Sequence, residues 1–592
     1  MKDFLKKYLL PLKQDIWLFS VLALPGLIMF LIGLNQFNAL GGLSLTLGLI
    51  IKFICEFLTL AVIFYFFHFL GIKRTWTLAF VIFLYYITLC ADLAILIYFK
   101  ERFVSKYLMT LGGANYKFMT DIRLLTIFLI LYSLAYFAIK KLWVKTSFKQ
   151  STKKLAVCAV LLLLISCLSP IKHIATEQAF YINLLMDTPI INLAKDCLTN
   201  NQKYQIVKEL PPELKDIAKE YNLFTPTDFK NKNTYKKIIL LTTEALSNKF
   251  ISTFNPNIPP EASSIYDGLL YYYPYASLKP VTLSTLYGLS VIFSGHPNAE
   301  LSFKNDYPLS FVKILRDNGF KTVFIRGANE EYMNEHITFK KAGFQEIYGA
   351  ATFERDPKYA ASVAWWGLTD RKLFDFVVDY LKQHKNDEKI FIDILNVDTH
   401  VPTGRTDYLG QEYMEITDIN PKIEALYKKP NMARAFARHN EDLGLFLKNL
   451  QDENLLDEDT LLIITADHPF FANLEGGGIY KGARPVFNEI PIIFISKKPI
   501  EEKISSDLFK SQQDIAPTIL GLAGLDIPRG MFGRSIFDNQ AHTVFNIKDG
   551  YVKVSNTNGS KIVPFGSKDK QNKALLELLN TAFMQDSLQE EK

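Results

Sequence analysis

The chain has 592 residues, 49% of them hydrophobic, and this average conceals a very apolar first third followed by an ordinary globular remainder. The length exceeds that of one ordinary domain, so the two regions are interpreted separately. The net charge of +6 comes largely from lysines between the apolar stretches, and no basic and aromatic pattern indicates nucleic-acid binding.

Five apolar stretches occupy the N-terminal region, at residues 16–34, 43–70, 76–99, 124–139 and 155–174. Most of them reach the roughly 20 residues that a helix needs to cross a bilayer. The fourth does so only with residues 136–143 at the interface. We therefore predict a five-helix transmembrane domain over residues 1–175. A cleavable signal peptide explains the first stretch poorly, because further spans follow it and no A-x-A-like site ends it.

Lysines set the predicted orientation, because cytoplasmic loops of membrane proteins retain positive charge. Lysines precede the first span, and six more lie between the fourth and the fifth, at residues 140–154. The opposite loops are uncharged or of mixed charge. An inside N-terminus and an odd number of spans place everything after residue 174 in the periplasm or outside the cell. The predicted location is the inner membrane of a bacterium.

The exported part divides into three predicted regions. Residues 176–235 form a juxtamembrane connector, whose amphipathic stretch 180–198 either lies along the membrane surface or packs against the next domain. Residues 236–566 form the catalytic domain, and residues 567–592 form a C-terminal tail with a surface helix.

Strands and helices alternate along the predicted catalytic domain. Continuous apolar runs predict buried parallel strands at 238–243, 322–325, 390–397, 460–465 and 490–495. Helical patterns occur at 309–318, 368–382, 433–450 and 513–522. The alternation predicts an α/β sandwich of the doubly wound kind, in which functional groups gather at the carboxyl ends of the strands.

Four strand ends or adjacent turns carry residues suited to metal or phosphate chemistry. Glu244 offers a carboxylate to a hard divalent cation, or a negative charge to a helix N-terminus. Thr282 precedes an apolar helix, where backbone N–H groups favour a phosphate, and it also fits a helix N-cap. His400 binds an anion, donates a proton or simply hydrogen-bonds within its loop. Asp467 and His468 are suitable ligands for Mn²⁺ or Zn²⁺.

The order of these residues, followed by QDIAPT at 513–518, resembles the sulfatase-like enzymes of the alkaline phosphatase superfamily. With the predicted spans in front, the chain is similar to lipoteichoic acid synthases and to the phosphoglycerol transferases that decorate periplasmic glucans. Segments 324–329, 342–344 and 366–370 also resemble that group. The fold that this resemblance implies is an α/β sulfatase-like extracytoplasmic domain.

The resemblance also implies the site residues. Glu244, Thr282, Asp467 and His468 correspond to the ligands of one divalent cation, Mn²⁺ before Mg²⁺ or Zn²⁺, and Thr282 doubles as the nucleophile. His400, Arg326 and Thr285 correspond to substrate contacts. A serine or threonine usually stands three residues after the nucleophile in this group, and Thr285 satisfies that spacing from Thr282. If Thr285 were the nucleophile, Gly288 would stand there instead.

Two departures from the relatives limit the resemblance. Lipoteichoic acid synthases carry an arginine after the asparagine that corresponds to Asn334, whereas this chain has Glu335 and His336. Phosphoethanolamine transferases are usually rich in disulfides, and only Cys197 belongs to the exported part of this chain.

The implied reaction transfers a phospholipid-derived phosphoglycerol, or a related phospho head group, to a glycan or lipid of the cell envelope through a phospho-threonine. A phospholipid is the expected donor, because ATP is absent outside the cytoplasm. The alternatives are phosphoethanolamine transfer to lipid A or glycans, a metal-dependent phosphodiesterase or sulfatase-type hydrolase, and a catalytically silent scaffold. Sulfate-ester hydrolysis is disfavoured, because no C/S-x-P-x-R signature occurs near Thr282.

Overall fold

The computed structural model describes residues 16–36, 42–70, 83–93, 133, 156–159, 188, 205–224, 229, 233–282, 285–298, 309–331, 335–364, 367–400, 430–470, 489–548, 551–565 and 567–583. The chain forms two compact units, Met1–Gln202 and Lys203–Lys592. The predicted connector therefore contributes residues to both units.

The first unit contains helices α1 (Ile16–Gln36) and α2 (Gly42–Phe69), and residues 83–93 are also helical. Nearly all of the fourth and fifth predicted spans, and the flanks of the third, lie outside the described residues. In the described part of the chain, no helix is both long and apolar enough to cross a membrane. The five-span arrangement therefore stays a prediction.

A seven-stranded sheet forms the centre of the second unit, with the strand order β3-β10-β9-β2-β8-β4-β5. Its strands are β2 (Lys237–Thr243), β3 (Tyr275–Leu278), β4 (Lys321–Arg326), β5 (Glu346–Tyr348), β8 (Ile390–Leu395), β9 (Thr460–Ala466) and β10 (Ile490–Ser496). The five strands from β9 to β5 in this order are mutually parallel. The predicted α/β architecture of this domain is confirmed.

The last apolar run forms a strand of the opposite direction from the one predicted. β10 pairs antiparallel with both β9 and β3. Six of its seven residues are buried. A strand covered on both faces is a continuous apolar run whether it is parallel or antiparallel to its neighbours, so composition could not reveal its direction.

Helices alternate with the strands of the sheet along the second unit. They are α4 (Ser264–Tyr272), α5 (Thr285–Ser294), α6 (Phe311–Asp317), α7 (Glu335–Ala342), α8 (Ala350–Phe353), α9 (Asp370–Gln383), α10 (Pro430–Asp452) and α11 (Ile515–Leu522), with α3 (Pro212–Glu220) before the sheet. In α9 the buried residues include Leu373, Val377 and Leu381, which share one face at a spacing of four. That face packs into the main hydrophobic core with the strands.

Smaller elements complete the second unit. A two-stranded ribbon joins β6 (Val363–Ala364) to β7 (Gly367–Leu368). Strands β11 (Val544–Lys548), β12 (Tyr551–Asn556) and β13 (Gly559–Pro564) form an antiparallel meander. Helix α12 (Lys570–Leu579) packs with α3 in a second core, and β14 (Thr581–Phe583) pairs in parallel with β1 (Gln205–Val207).

A buried carboxyl group in the middle of β8 gives the fold a pH dependence. Asp393 is 0% exposed, and burial raises its pKa to about 8. In an unfolded chain an aspartate has a pKa of about 3.9, so folding binds a proton between these values and stability falls as the pH rises from about 4 to 8. We expect Asp393→Asn to remove this loss, because the amide is neutral at every pH.

Thermal unfolding of the metal-free full-length protein checks this expectation. The variant and the wild type should have nearly the same Tm at pH 5. At pH 8 the Tm of Asp393→Asn should be clearly higher than that of the wild type. Equal differences at both pH values would show that Asp393 is not protonated in the folded state.

Candidate active site

Glu244, Asp467 and His468 meet at the carboxyl edge of the sheet. Strands β2 and β9 are parallel neighbours in which Thr243 pairs with Ala466, so the residues that follow these strands lie side by side. His468 Nε2 lies 3.3 Å from Glu244 Oε1 and 3.4 Å from Asp467 Oδ2. One ligand atom from each of the three residues lies within 4.8 Å of the others, and all three residues are buried. The structure thus brings together three of the four predicted metal ligands.

The donor atoms fit a divalent cation. Asp467 Oδ1 accepts hydrogen bonds from the backbone N–H groups of Ala245 and His468, both at 2.8 Å. Asp467 Oδ2 is buried, and among the described residues it has no hydrogen bond, only the contact with His468 Nε2 at 3.4 Å. An unsatisfied buried carboxylate oxygen is costly unless a cation or a proton neutralises it. Two carboxylates and one imidazole suit Mn²⁺ or Zn²⁺.

The electrostatics of the three residues indicate the same need for positive charge. Although burial opposes ionisation of Glu244, the charges of His400 and His468 lower its pKa to about 2. Burial and the charge of Glu244 raise the pKa of Asp467 to about 7. Burial also disfavours a charged His468, but the two carboxylates outweigh it and raise its pKa to about 9. A bound cation would take the place of these protons, so its affinity should increase with pH.

The hydroxyl beside this cluster belongs to Thr285. Thr285 Oγ1 donates to Glu244 Oε2 at 3.1 Å and lies 3.4 Å from His468 Nε2. Thr282 is half-buried, and among the described residues no hydrogen bond joins it to Glu244, Asp467 or His468. The geometry therefore disagrees with the preference for Thr282 that the three-residue spacing suggested. The spacing identified two threonines of the right segment but could not show which one faces the carboxylates.

Helix α5 can place Thr285 there because Gly288 lets it approach the next strand end. A Cβ atom on Gly288 would overlap the backbone carbonyl of Asp467. Gln512 also joins the two segments: its Nε2 donates to the Asp467 carbonyl, and its Oε1 accepts from Val281 N at 2.8 Å. Neither residue stood out as functional in the sequence, since a glycine within an apolar helix and a glutamine before one carry no chemical signal of their own.

We expect Gly288→Ala to separate α5 from the strand end that carries Asp467. The added methyl group meets backbone atoms that cannot rotate away, and overpacking of this kind typically costs about 1–3 kcal/mol. Both the Tm and the Mn²⁺ bound per chain should fall. Gly268→Ala is the matched control, because it lies in α4 and its added Cβ meets nothing within 4 Å. Unchanged Mn²⁺ binding in Gly288→Ala would contradict the described approach of α5.

His400 and Arg326 occupy different surroundings near the same edge. His400 follows β8 and lies close enough for its charge to lower the pKa of Glu244. Arg326 ends β4, where its guanidinium forms an ion pair with Glu335. Both side chains of that pair are only 6% exposed. Asn334, the residue before Glu335, lies outside the described residues.

Comparisons with known proteins identify the domain. The sequence profile of the Sulfatase family matches residues 236–525. Phosphoglycerol transferase I of Salmonella arizonae is 25% identical over 310 residues, which are 50% of this chain. The match spans only 38% of the length of that relative.

Two solved structures share the fold. One is the lipooligosaccharide phosphoethanolamine transferase A of Neisseria meningitidis, an integral membrane protein that is 14% identical to this chain. The superposition covers 88% of this chain and 97% of that protein, with a TM-score of 0.54. The other is the lipoteichoic acid synthase LtaP of Listeria monocytogenes, which is 17% identical. The superposition covers 62% of this chain and 96% of that protein, with a TM-score of 0.50. The sulfatase-like resemblance drawn from the motifs is confirmed, because residues 236–525 match the Sulfatase family.

Proposed function

We propose that the chain is a divalent-cation-dependent transferase that moves a phospholipid-derived phosphoglycerol to a glycan or lipid of the cell envelope. The observation that carries this proposal is the position of Thr285 Oγ1, 3.1 Å from Glu244 Oε2 and 3.4 Å from His468 Nε2. A hydroxyl is a weak nucleophile at its own pKa and needs activation, which a cation held beside it would supply. We therefore assign the nucleophile to Thr285 and not to Thr282.

The residues that would hold the cation are Glu244, Asp467 and His468, with Thr285 Oγ1 beside them. The cation would supply Lewis-acid stabilisation of the transferring phosphoryl group and favour the ionised form of the hydroxyl. Mn²⁺ is the first choice, with Zn²⁺ and Mg²⁺ as the alternatives.

Two displacements at phosphorus account for the transfer. In the first, Thr285 gives up its hydroxyl proton to water, Oγ1 bonds to the phosphorus of the phospholipid, and the bond from phosphorus to the diacylglycerol oxygen breaks. Diacylglycerol leaves as an alcohol after taking up a proton, for which His400 is the donor that we propose. In the second, a hydroxyl of the acceptor gives its proton to His400 and bonds to phosphorus, the bond to Thr285 breaks, and a proton from water returns to the threonine.

We assign recognition of the phosphate to His400 and not to Arg326. His400 lies near Glu244, whereas the charge of Arg326 is balanced by Glu335 in a buried pair. A guanidinium already committed to a carboxylate offers less attraction to a substrate anion than a free one. Arg326 is then a structural residue of the site's edge, and its role as a substrate contact is not part of this proposal.

The choice of phosphoglycerol over other head groups rests on the relatives. The relative from Salmonella arizonae, which matches 50% of this chain, is named a phosphoglycerol transferase. The phosphoethanolamine transferase of Neisseria covers more of the chain but shows the fold alone at 14% identity. Phosphoethanolamine transfer therefore remains the second candidate, to be separated by experiment.

The test compares two lipid donors that differ only in head group. Full-length protein in detergent micelles is incubated with Mn²⁺ and either phosphatidylglycerol or phosphatidylethanolamine, each labelled in the diacylglycerol part. We expect diacylglycerol release from phosphatidylglycerol to be at least about tenfold faster, which corresponds to about 1.4 kcal/mol of discrimination. Faster release from phosphatidylethanolamine would reverse the assignment of the head group. Release from neither lipid would remove the transferase proposal.

A soluble acceptor separates transfer from hydrolysis. With a labelled glycerol head group, transfer to an added β-glucan attaches the label to the glucan, whereas hydrolysis yields free glycerol phosphate. Label found only in free glycerol phosphate, with acceptor present, would support the phosphodiesterase alternative instead.

A further inference from the structure

A group of buried polar side chains fixes the backbone of Glu244. Asn396 Oδ1 accepts a hydrogen bond from Glu244 N at 2.6 Å, and Thr399 Oγ1 donates to Glu244 O at 2.7 Å. Both residues lie in the turn after β8 and are at most 1% exposed. The peptide groups before and after the Glu244 side chain are therefore held by the neighbouring strand end.

Asp370, at the start of α9, holds that turn in place. Asn396 Nδ2 donates to Asp370 Oδ2 at 2.7 Å. The other oxygen of Asp370 accepts from the backbone N–H groups of Val397 and Asp398, both at 3.0 Å. One carboxylate thus fixes both the side-chain amide of Asn396 and the backbone that follows it.

His439, from α10, completes the chain of contacts. His439 Nδ1 lies 3.1 Å from Asp370 Oδ2, and Tyr266 OH lies 2.9 Å from His439 Nε2. Burial raises the pKa of Tyr266, so its hydroxyl keeps its proton and donates to Nε2. With Nε2 accepting from Tyr266, Nδ1 of His439 is the atom that donates to Asp370, an arrangement that fixes the imidazole and the carboxylate together.

The turn that these contacts hold is a strained one. Ala245, directly after Glu244, has a φ of 57°, which a residue with a side chain rarely adopts. Its N–H group donates to Asp467 Oδ1 at 2.8 Å, so the turn orients both carboxylates of the metal cluster. Such a conformation persists only where the surroundings determine it, and it is concentrated at functional sites.

We propose that Asn396, Thr399, Asp370 and His439, here called the Glu244 clamp, are positioning residues that set the cation affinity of the site. They act by fixing the direction of the Glu244 carboxylate before the cation arrives. The inference rests on the proposed function, because it requires that Glu244 binds a cation. Hydrogen-bond partners of metal ligands typically change metal affinity by about 10- to 100-fold.

Matched threonine substitutions test the clamp. Thr399→Val removes the bond to the backbone carbonyl of Glu244, whereas Thr242→Val removes a buried threonine bond of similar length to a side chain, from Thr242 Oγ1 to Asp393 Oδ1 at 2.9 Å. Both threonines are 0% exposed, and both replacements preserve shape. Titration of Mn²⁺, and separately of Zn²⁺, into the metal-free full-length protein in micelles measures the dissociation constant. We expect about 10- to 100-fold weaker binding for Thr399→Val and binding within about twofold of wild type for Thr242→Val.

Substitutions of His439 supply a rescue that a purely structural role does not predict. His439→Leu removes the donor to Asp370 and should weaken Mn²⁺ binding at least about tenfold. His439→Asn keeps an N–H donor near the position of Nδ1 and should recover most of that loss. The Tm of each metal-free variant is measured in parallel, so that an affinity change is compared with any change in stability.

The outcomes separate this inference from the proposed function. Wild-type binding with weaker binding in Thr399→Val and His439→Leu, but not in Thr242→Val, supports the clamp. Variants that all bind as tightly as wild type overturn the clamp and leave the proposed function standing. Equal weakening in Thr242→Val and Thr399→Val also overturns it, because the effect then follows stability alone. A wild-type protein that binds neither cation overturns both.

Discussion

Thr285→Ala should abolish diacylglycerol release, with a loss of roughly 10³-fold or more, while the protein still binds Mn²⁺. Alanine removes the atom that we propose bonds to phosphorus, whereas the proposed ligands Glu244, Asp467 and His468 remain. Thr285→Ser keeps a hydroxyl at the same position and should retain part of the activity. The measurement is the initial rate of diacylglycerol release from labelled phosphatidylglycerol, beside the Mn²⁺ bound per chain.

Thr282→Ala is the matched control for this prediction. It removes the same group from a threonine three residues earlier, and its release rate should stay within about threefold of wild type. Near-normal release by Thr285→Ala, or loss of release in Thr282→Ala alone, would return the nucleophile to Thr282. Mass spectrometry of the quenched wild-type reaction should find glycerol phosphate on the peptide that contains Thr285, and on no peptide of the Thr285→Ala protein.

Asp467→Ala should eliminate both metal binding and turnover. Asp467 Oδ2 is buried and has no hydrogen bond among the residues that the structure describes, and Oδ1 holds the turn after Glu244 through Ala245 N. The substitution therefore removes one ligand and loosens a second. We expect Mn²⁺ to bind at least about 100-fold more weakly, since even partners of metal ligands contribute 10- to 100-fold.

Asp459→Ala controls for the loss of an aspartate near the opposite end of β9. Its side chain forms a half-exposed ion pair with Lys498, a kind of contact that contributes about 0–1 kcal/mol. Mn²⁺ binding and release should both match wild type. Full Mn²⁺ occupancy in Asp467→Ala, measured by elemental analysis after gel filtration, would exclude Asp467 as a ligand.

The two predictions together distinguish the nucleophile from the ligands. Thr285→Ala is expected to be inactive with metal bound, and Asp467→Ala is expected to be inactive without it. Added Mn²⁺ at high concentration should partly restore Asp467→Ala by mass action and should not restore Thr285→Ala. Restoration of both would indicate that Thr285 acts only as a metal ligand.

Local sequence was sufficient for the α/β architecture and for the residues at the strand ends. Continuous apolar runs mark buried strands because both faces of such a strand are covered, and the run at residues 460–465 became β9, Thr460–Ala466. Polar residues directly after a run must lie at the sheet edge. Glu244, Asp467 and His468 could therefore be placed at strand ends from the sequence, and the pairing of β2 with β9 brought them together.

Only the tertiary structure decided which side chains meet. Thr282 and Thr285 lie on the same segment, and the close approach that Gly288 permits between α5 and the Asp467 backbone brings Thr285 to Glu244. The polarity of β10 and the pairing of Arg326 with Glu335 likewise depend on partners distant in sequence. The Glu244 clamp joins residues from α9, α10 and the turn after β8, and Asp370 lies 26 residues from Asn396 and 69 residues from His439 in the sequence. Contacts at such separations leave no local pattern, because each residue follows the periodicity of its own helix or turn.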